Sequence, residues 1–196
     1  MMTRTVVSFI QNGYFLLLTF ATGLFYFCFY LVALTLGLSL SFTVAGVPLI
    51  TRILRTTYAF LQFERIQTKI YTDITTELYV KPINTDASIW LQARKELLNR
   101  RNWIAIGWLM LKLPVGILSL ISAALLYITP LAMIATPLLF PLFNYYFMGV
   151  LIDTVIKSVL VSASGVVFTM VSYRLANSLT RMLGGYTRLM IKSVNR

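Results

Sequence analysis

The sequence predicts an all-α integral membrane protein, with four transmembrane helices arranged as two hairpins and a basic amphipathic interfacial helix after each hairpin. Three observations predict it. Of 196 residues, 58% are hydrophobic and only 12% charged, against roughly 25% charged in a soluble domain. A surface so poor in charge faces something other than water. The charges are also segregated: the 47 residues between Arg4 and Arg52 carry none. Finally, the net charge of +11 is gathered into two segments, 52–112 and 174–196, which recur after the apolar runs.

The first run is too long for one crossing. As a straight helix it would measure about 70 Å at 1.5 Å per residue, whereas a bilayer core is about 30 Å thick. It is also too long for a signal peptide, whose apolar core runs to about 7–15 residues. The reading is a hairpin, with spans at about 14–34 and 36–51 joined near Gly37-Leu38-Ser39-Leu40-Ser41. The second of these is short, which leaves a tilted or re-entrant segment open.

Segment 52–112 holds ten basic and five acidic residues and is polar from Thr72 to Ser88. It reads as two interfacial helices joined by a loop. In the first, Arg55, Gln62, Arg65 and Lys69 share a face, with Ala59, Phe63, Ile66 and Ile70 beside it. The second carries Trp90, Leu97 and Ile104, interleaved with Arg94, Lys95, Arg100 and Arg101. Trp103 and Trp108 follow, and tryptophan favours the headgroup level. Lys112-Leu113-Pro114 then opens the third span, 114–136. A lysine there snorkels to headgroups, and proline suits a first helical turn.

Residues 137–152 have three readings: interfacial loop, re-entrant segment or fifth span. Two prolines and the aromatic cluster Phe140, Phe143, Tyr145, Tyr146 and Phe147 favour the loop, either as an aromatic belt or as the rim of an apolar ligand pocket. The fourth span, 154–173, starts beside Asp153 and Lys157, spaced to pair. Its small residues Ser158, Ser162 and Gly165 suit close helix packing. In the tail, Arg174, Arg181, Arg188 and Lys192 form a stripe beside Leu175, Leu179, Met182 and Leu189. That pattern describes an amphipathic helix in the membrane surface, with Gly184-Gly185 as its weak point.

With four spans, basic segments retained on the cytoplasmic side put both termini there. Arg55, Arg65, Lys69, Arg94, Arg101, Lys112, Arg174, Arg181, Arg188 and Lys192 are then candidates for anionic lipid headgroups or a protein partner. The apolar composition argues against nucleic acid as the target of the basic excess.

Catalytic chemistry has little to build on. There is no histidine and one cysteine, Cys28, so neither an intramolecular disulfide nor a Cys/His metal set is available. Asp73 and Glu77 sit four apart, but two carboxylates alone make a poor cation site. No cofactor, metal or catalytic residue is expected.

Gly46-Val47-Pro48, Phe63-Glu64-Arg65 and Lys112-Leu113-Pro114-Val115-Gly116 together resemble the bacterial "putative sensor" domain, a four-helix membrane module found in front of some sensor histidine kinases. The resemblance covers about Gly13 to Lys192. It implies a stand-alone sensor-like subunit of a bacterial cytoplasmic membrane, perceiving an envelope or lipid cue and relaying it to a separate protein. With no histidine, the 196 residues hold no phosphoacceptor histidine. The alternatives are a structural or accessory subunit of a transporter or envelope complex, or a homo-oligomer. An enzyme acting on lipids is the weakest reading.

Overall fold

The computed structural model describes residues 2–42, 46–72, 74, 89–139, 145–147, 149–152 and 154–195; side chains are described for 7–41, 46–72, 74, 94–139, 149 and 154–195. The described residues are mostly helical, with one short hairpin. Helix α1 runs Met2–Ser39 and ends in a 3-10 turn, Leu40–Phe42. Helices α2 (Gly46–Thr72), α3 (Ile89–Leu98) and α4 (Arg100–Ala123) follow, then a π-helical turn (Ala124–Ile128) and α5 (Thr129–Leu139). Strands β1 (Tyr145–Phe147) and β2 (Val150–Ile152) pair antiparallel, with Phe147 opposite Val150. Helix α6 runs Val155–Asn195.

Among the described residues, three stretches are long and apolar enough to cross a bilayer: Val7–Ser39, Arg100–Leu139 and Val155–Asn195. The chain is therefore read as a membrane protein, with three such helices where the sequence suggested four. The expected crossing at 36–51 is not a helix of its own. Its first residues finish α1 and its last ones open α2. From Arg52 onward α2 carries five charges, which keeps it out of the spanning class. The tail differs too. No break separates 173 from 174, and the helix passes through Gly184-Gly185 uninterrupted. Gly184 serves close approach: a Cβ there would meet the Thr72 and Ile74 side chains at 2.9 and 2.6 Å.

Residues 145–147 and 150–152 form the hairpin, so no helical fifth span runs through them. Gly149 has φ +82°, a left-handed conformation that L side chains rarely adopt,. Phe140, Phe143 and Asp153 lie outside the described residues, as do the side chains of Tyr145, Tyr146 and Phe147.

The helical breaks follow local chemistry. Asn99 separates α3 from α4, its Oδ1 accepting from the Arg101 N–H at 3.1 Å, as an N-cap does,. Asn102 Nδ2 donates to the Glu96 carbonyl and carboxylate, and Trp103 Nε1 to the Leu97 carbonyl at 2.8 Å. Pro114, expected to open a helix, instead sits inside α4. The π turn immediately precedes Pro130, whose ring would otherwise clash with the carbonyl four residues back,.

The residues fall into two compact units. The first comprises 1–17 and 118–179. Its outward side chains are largely apolar, among them Ile10, Leu17, Ile121, Leu131, Ile156, Val167 and Met170, while Asn12, Ser119, Thr136, Ser158 and Ser172 are buried. A surface of that kind suits hydrocarbon. Within it, Ser119 Oγ donates to the Leu16 carbonyl at 2.8 Å and Tyr127 O–H to the Phe9 carbonyl at 2.6 Å. Such bonds tie helix to helix where water cannot compete.

The second unit comprises 18–117 and 180–196. Its core gathers Tyr26 and Tyr30 from α1; Ile50, Ile53, Leu54 and Leu61 from α2; Ala105, Ile106 and Leu109 from α4; and Met190, Ile191 and Val194 from α6. Helices α1 and α4 touch backbone to backbone at two glycines. A Cβ on Gly23 would lie 2.7 Å from the Lys112 carbonyl oxygen, and one on Gly116 would lie 2.8 Å from the Phe20 Cα. Replacing Gly23 with Leu should therefore force these helices apart, costing about 1–3 kcal/mol as overpacking does. Unfolding of the purified protein in mixed micelles by rising dodecyl sulfate measures it; unchanged stability would contradict the close approach.

Candidate functional site

The α2 face that packs inward follows a strict helical stripe. Ile50, Leu54, Thr57, Leu61, Glu64 and Thr68 recur at spacings of four and three, with Gln67 beside them, and all are buried. The stripe is apolar at its start and polar at its end. Tyr30 O–H reaches its middle, bonding Thr57 Oγ1 at 3.0 Å.

At the polar end, Glu64 forms an ion pair with Lys112 of α4 through Oε2 and Nζ. Both side chains are sealed from solvent, at 2% and 4% exposure. The close approach at Gly23 brings the Lys112 backbone against α1, and Lys112 Nζ stands 5.6 Å from the centre of the Tyr26 ring, within cation–π range. Tyr26 and Tyr186 both lie within electrostatic reach of the carboxylate. Tyr186 in turn donates its hydroxyl to the Trp108 carbonyl at 2.8 Å and packs edge-on against the Trp108 ring.

The pair does not satisfy its surroundings. Among the described residues, Glu64 Oε1, both amide atoms of Gln67, Thr68 Oγ1 and the Tyr26 hydroxyl are buried with no hydrogen-bond partner. Native interiors leave few such groups, yet here five atoms on four residues gather around one ion pair. The cluster offers a carboxylate, an ammonium, an amide and two hydroxyls. That set suits binding a small polar species or exchanging hydrogen bonds as helices shift. It lacks the metal-ligand set or nucleophile–base pair of an active site. Among the described residues no group of three His, Cys, Asp or Glu could hold a metal ion.

The sequence reading placed these residues differently. Lys112, expected to snorkel to headgroups, is buried and paired inward, so it is not available to lipid. Ala59, Phe63, Ile66 and Ile70, read as an apolar face, are exposed. The buried side is the polar one. Glu64, Gln67 and Thr68 were missed because hydrophobicity alone does not find them; the unbroken four-three spacing from Ile50 does.

The other basic candidates stay at the surface. Arg55 is half-exposed and faces Glu96, with Nε–Oε1 at 3.8 Å. Arg65 is partly buried, while Lys69, Arg94, Arg101, Arg174, Arg181, Arg188 and Lys192 are exposed. Of the α6 residues expected to pack, Ser158 is buried, and Ser162 and Gly165 lie against another helix of the same chain. Ser162 Oγ donates to the Ile134 carbonyl at 3.2 Å, and a Cβ on Gly165 would lie 2.8 Å from the Met133 Cβ. Their partner is α5.

A family model described as "Putative sensor" matches residues 15–191. The chain belongs to that family. Neither the curated proteins nor the solved structures yield a match. In this sensor-family chain the matched region contains every residue of the polar cluster, from Tyr26 to Tyr186.

Because Gln67 is buried with both amide atoms unsatisfied, Gln67→Met should stabilise the fold by about 1–2 kcal/mol, the desolvation cost removed. Thermal unfolding in detergent measures it. Destabilisation of similar size would show that the amide has partners.

Proposed function

We propose that this chain is a non-enzymatic membrane sensor subunit that perceives an envelope or lipid cue and relays it to a separate protein. The observation that carries this reading is the buried Glu64–Lys112 pair, ringed by unsatisfied polar atoms, where α1, α2 and α4 meet. A charge pair enclosed among helices has few acceptable arrangements, and the unsatisfied neighbours lower the cost of leaving the present one. An element balanced in that way is what a cue shifts, provided the cue differs in affinity between its states. Family membership supports the same reading.

Topology follows from charge. With three crossings, the basic segments 52–112 and 174–196 share the cytoplasmic face of a bacterial inner membrane. The start of α1 and the β hairpin then face outward, leaving Arg4 and Lys157 as the outer basic residues of the 17. On α6, the exposed pairs Arg181/Met182 and Arg188/Leu189 recur one heptad apart. That row forms the relay surface, touching anionic headgroups or the partner. The competing reading, an accessory subunit docking through Ser158, Ser162 and Gly165, has less support, because α5 lies against Ser162 and Gly165.

The test compares a strain carrying the wild-type chain with a deletion strain and with one carrying Arg181→Gln/Arg188→Gln. All are challenged with a membrane-fluidising alcohol and their transcripts measured. A response that vanishes on deletion and falls several-fold in the variant, about 5-fold given two exposed ionic contacts of roughly 0.5 kcal/mol each, is expected. Identical responses in all three strains would contradict a sensor role.

A further inference from the structure

Helices α1 and α2 enclose an open groove on the outer side of the second unit, with a volume of about 550 Å³. Its walls are Phe25, Phe29, Val32 and Leu36 from α1 and Leu49 and Ile53 from α2. The polar side chains along it are Arg52 and Thr56, and Cys28 opens into it. Thr56 has spent its hydroxyl on the Ile53 carbonyl at 2.7 Å. Arg52 is exposed and makes no ion pair among the described residues. It lies toward the end of the groove where Gly37 closes on Ile50. The opposite end is aromatic, with Phe25 and Phe29 stacked 6.0 Å apart and Phe60 edge-on to both.

We propose that this groove holds one acyl chain of an anionic phospholipid, with Arg52 binding the phosphate. Length, volume and charge argue together. From Leu36 to Phe25 is eleven helical residues, or about 16 Å, close to the roughly 15 Å that one acyl chain spans. The volume falls in the range of small-ligand pockets, about 300–1,000 Å³. A helix of the same length and about 10 Å diameter would fill roughly 1,200 Å³, so a partner helix is the poorer fit. An apolar channel with one guanidinium at its end matches an amphiphile with one anionic head, since Arg binds phosphate through paired donors. The site names a lipid class for the cue of the sensor reading and rests on that reading only for its physiological role.

The test uses the full chain in a mild nonionic detergent, titrated with phosphatidylglycerol or with phosphatidylcholine of the same acyl chains. Native mass spectrometry counts bound lipid. Alkylation of Cys28, the single cysteine, by N-ethylmaleimide reports whether the groove is filled. One phosphatidylglycerol should be retained several-fold more tightly than phosphatidylcholine, whose phosphate Arg52 also meets but whose choline cation offsets the attraction, and should slow Cys28 alkylation. Arg52→Gln, at an exposed position, should bring the two lipids level. Val32→Trp should abolish retention and protection for both. Equal retention by the wild-type chain, or a phosphatidylglycerol preference that survives Arg52→Gln, overturns the proposal. Because purified protein is used, either result stands apart from the cellular stress response, and the sensor reading falls only with the latter.

Discussion

The Glu64–Lys112 pair is the constraint on which the second unit depends. Two charges removed from water cost several kcal/mol each, and their attraction offsets this only in good geometry. Once buried, neither partner can be left alone without exposing the chain to that full cost. The pair therefore fixes the rotation of α2, since only one face of that helix carries Glu64. It fixes the register of α2 along α4 as well. The glycine contact at Gly23 makes the arrangement possible by letting the Lys112 backbone rest directly against α1. Tyr26 then lies beside the ammonium, and Tyr30 and Thr57 extend the polar path toward the α1–α2 turn.

This inward polarity explains an otherwise odd outer surface. Phe63, Ile66 and Ile70 of α2 face outward, as do Phe25, Val32 and Leu36 of α1. In a water-soluble bundle such a surface would drive aggregation. In a protein whose long helices are built for hydrocarbon, apolar side chains are equally content outside. The groove beside Arg52 and the heptad row on α6 are both products of that reversal, one apolar with a charge at its end, the other apolar and basic in alternation.

Much of this was legible in the sequence, and the limits have a physical cause. The uncharged runs before Arg52 and after Lys112 become α1 and the α4–α5 stretch, and the third run opens α6. Composition reports which residues avoid water, and it does so reliably. It does not report which of them face a protein core and which face lipid, because both environments accept an apolar side chain. So Ala59, Phe63, Ile66 and Ile70 stand out by composition, although Glu64, Gln67 and Thr68 fill the core side of α2, and Lys112, expected at the headgroups, is buried. The second crossing failed for a related reason: residues 36–51 are apolar enough, but they are divided between the end of α1, a turn and the start of a charged helix. Of the small residues of α6 expected to pack, Ser162 and Gly165 lie against α5. Spacing alone could not say that their partner lies in the same chain.

The most direct test is a double-mutant cycle on the pair itself, using Glu64→Gln, Lys112→Met and their combination, with unfolding measured in the same mixed micelles. Each single variant leaves one buried group uncompensated and should cost about 3–5 kcal/mol, while the double variant should recover most of that loss. If the two single losses are small, or simply add in the double variant, the pair does not hold α2 to α4 and the account of this unit is wrong.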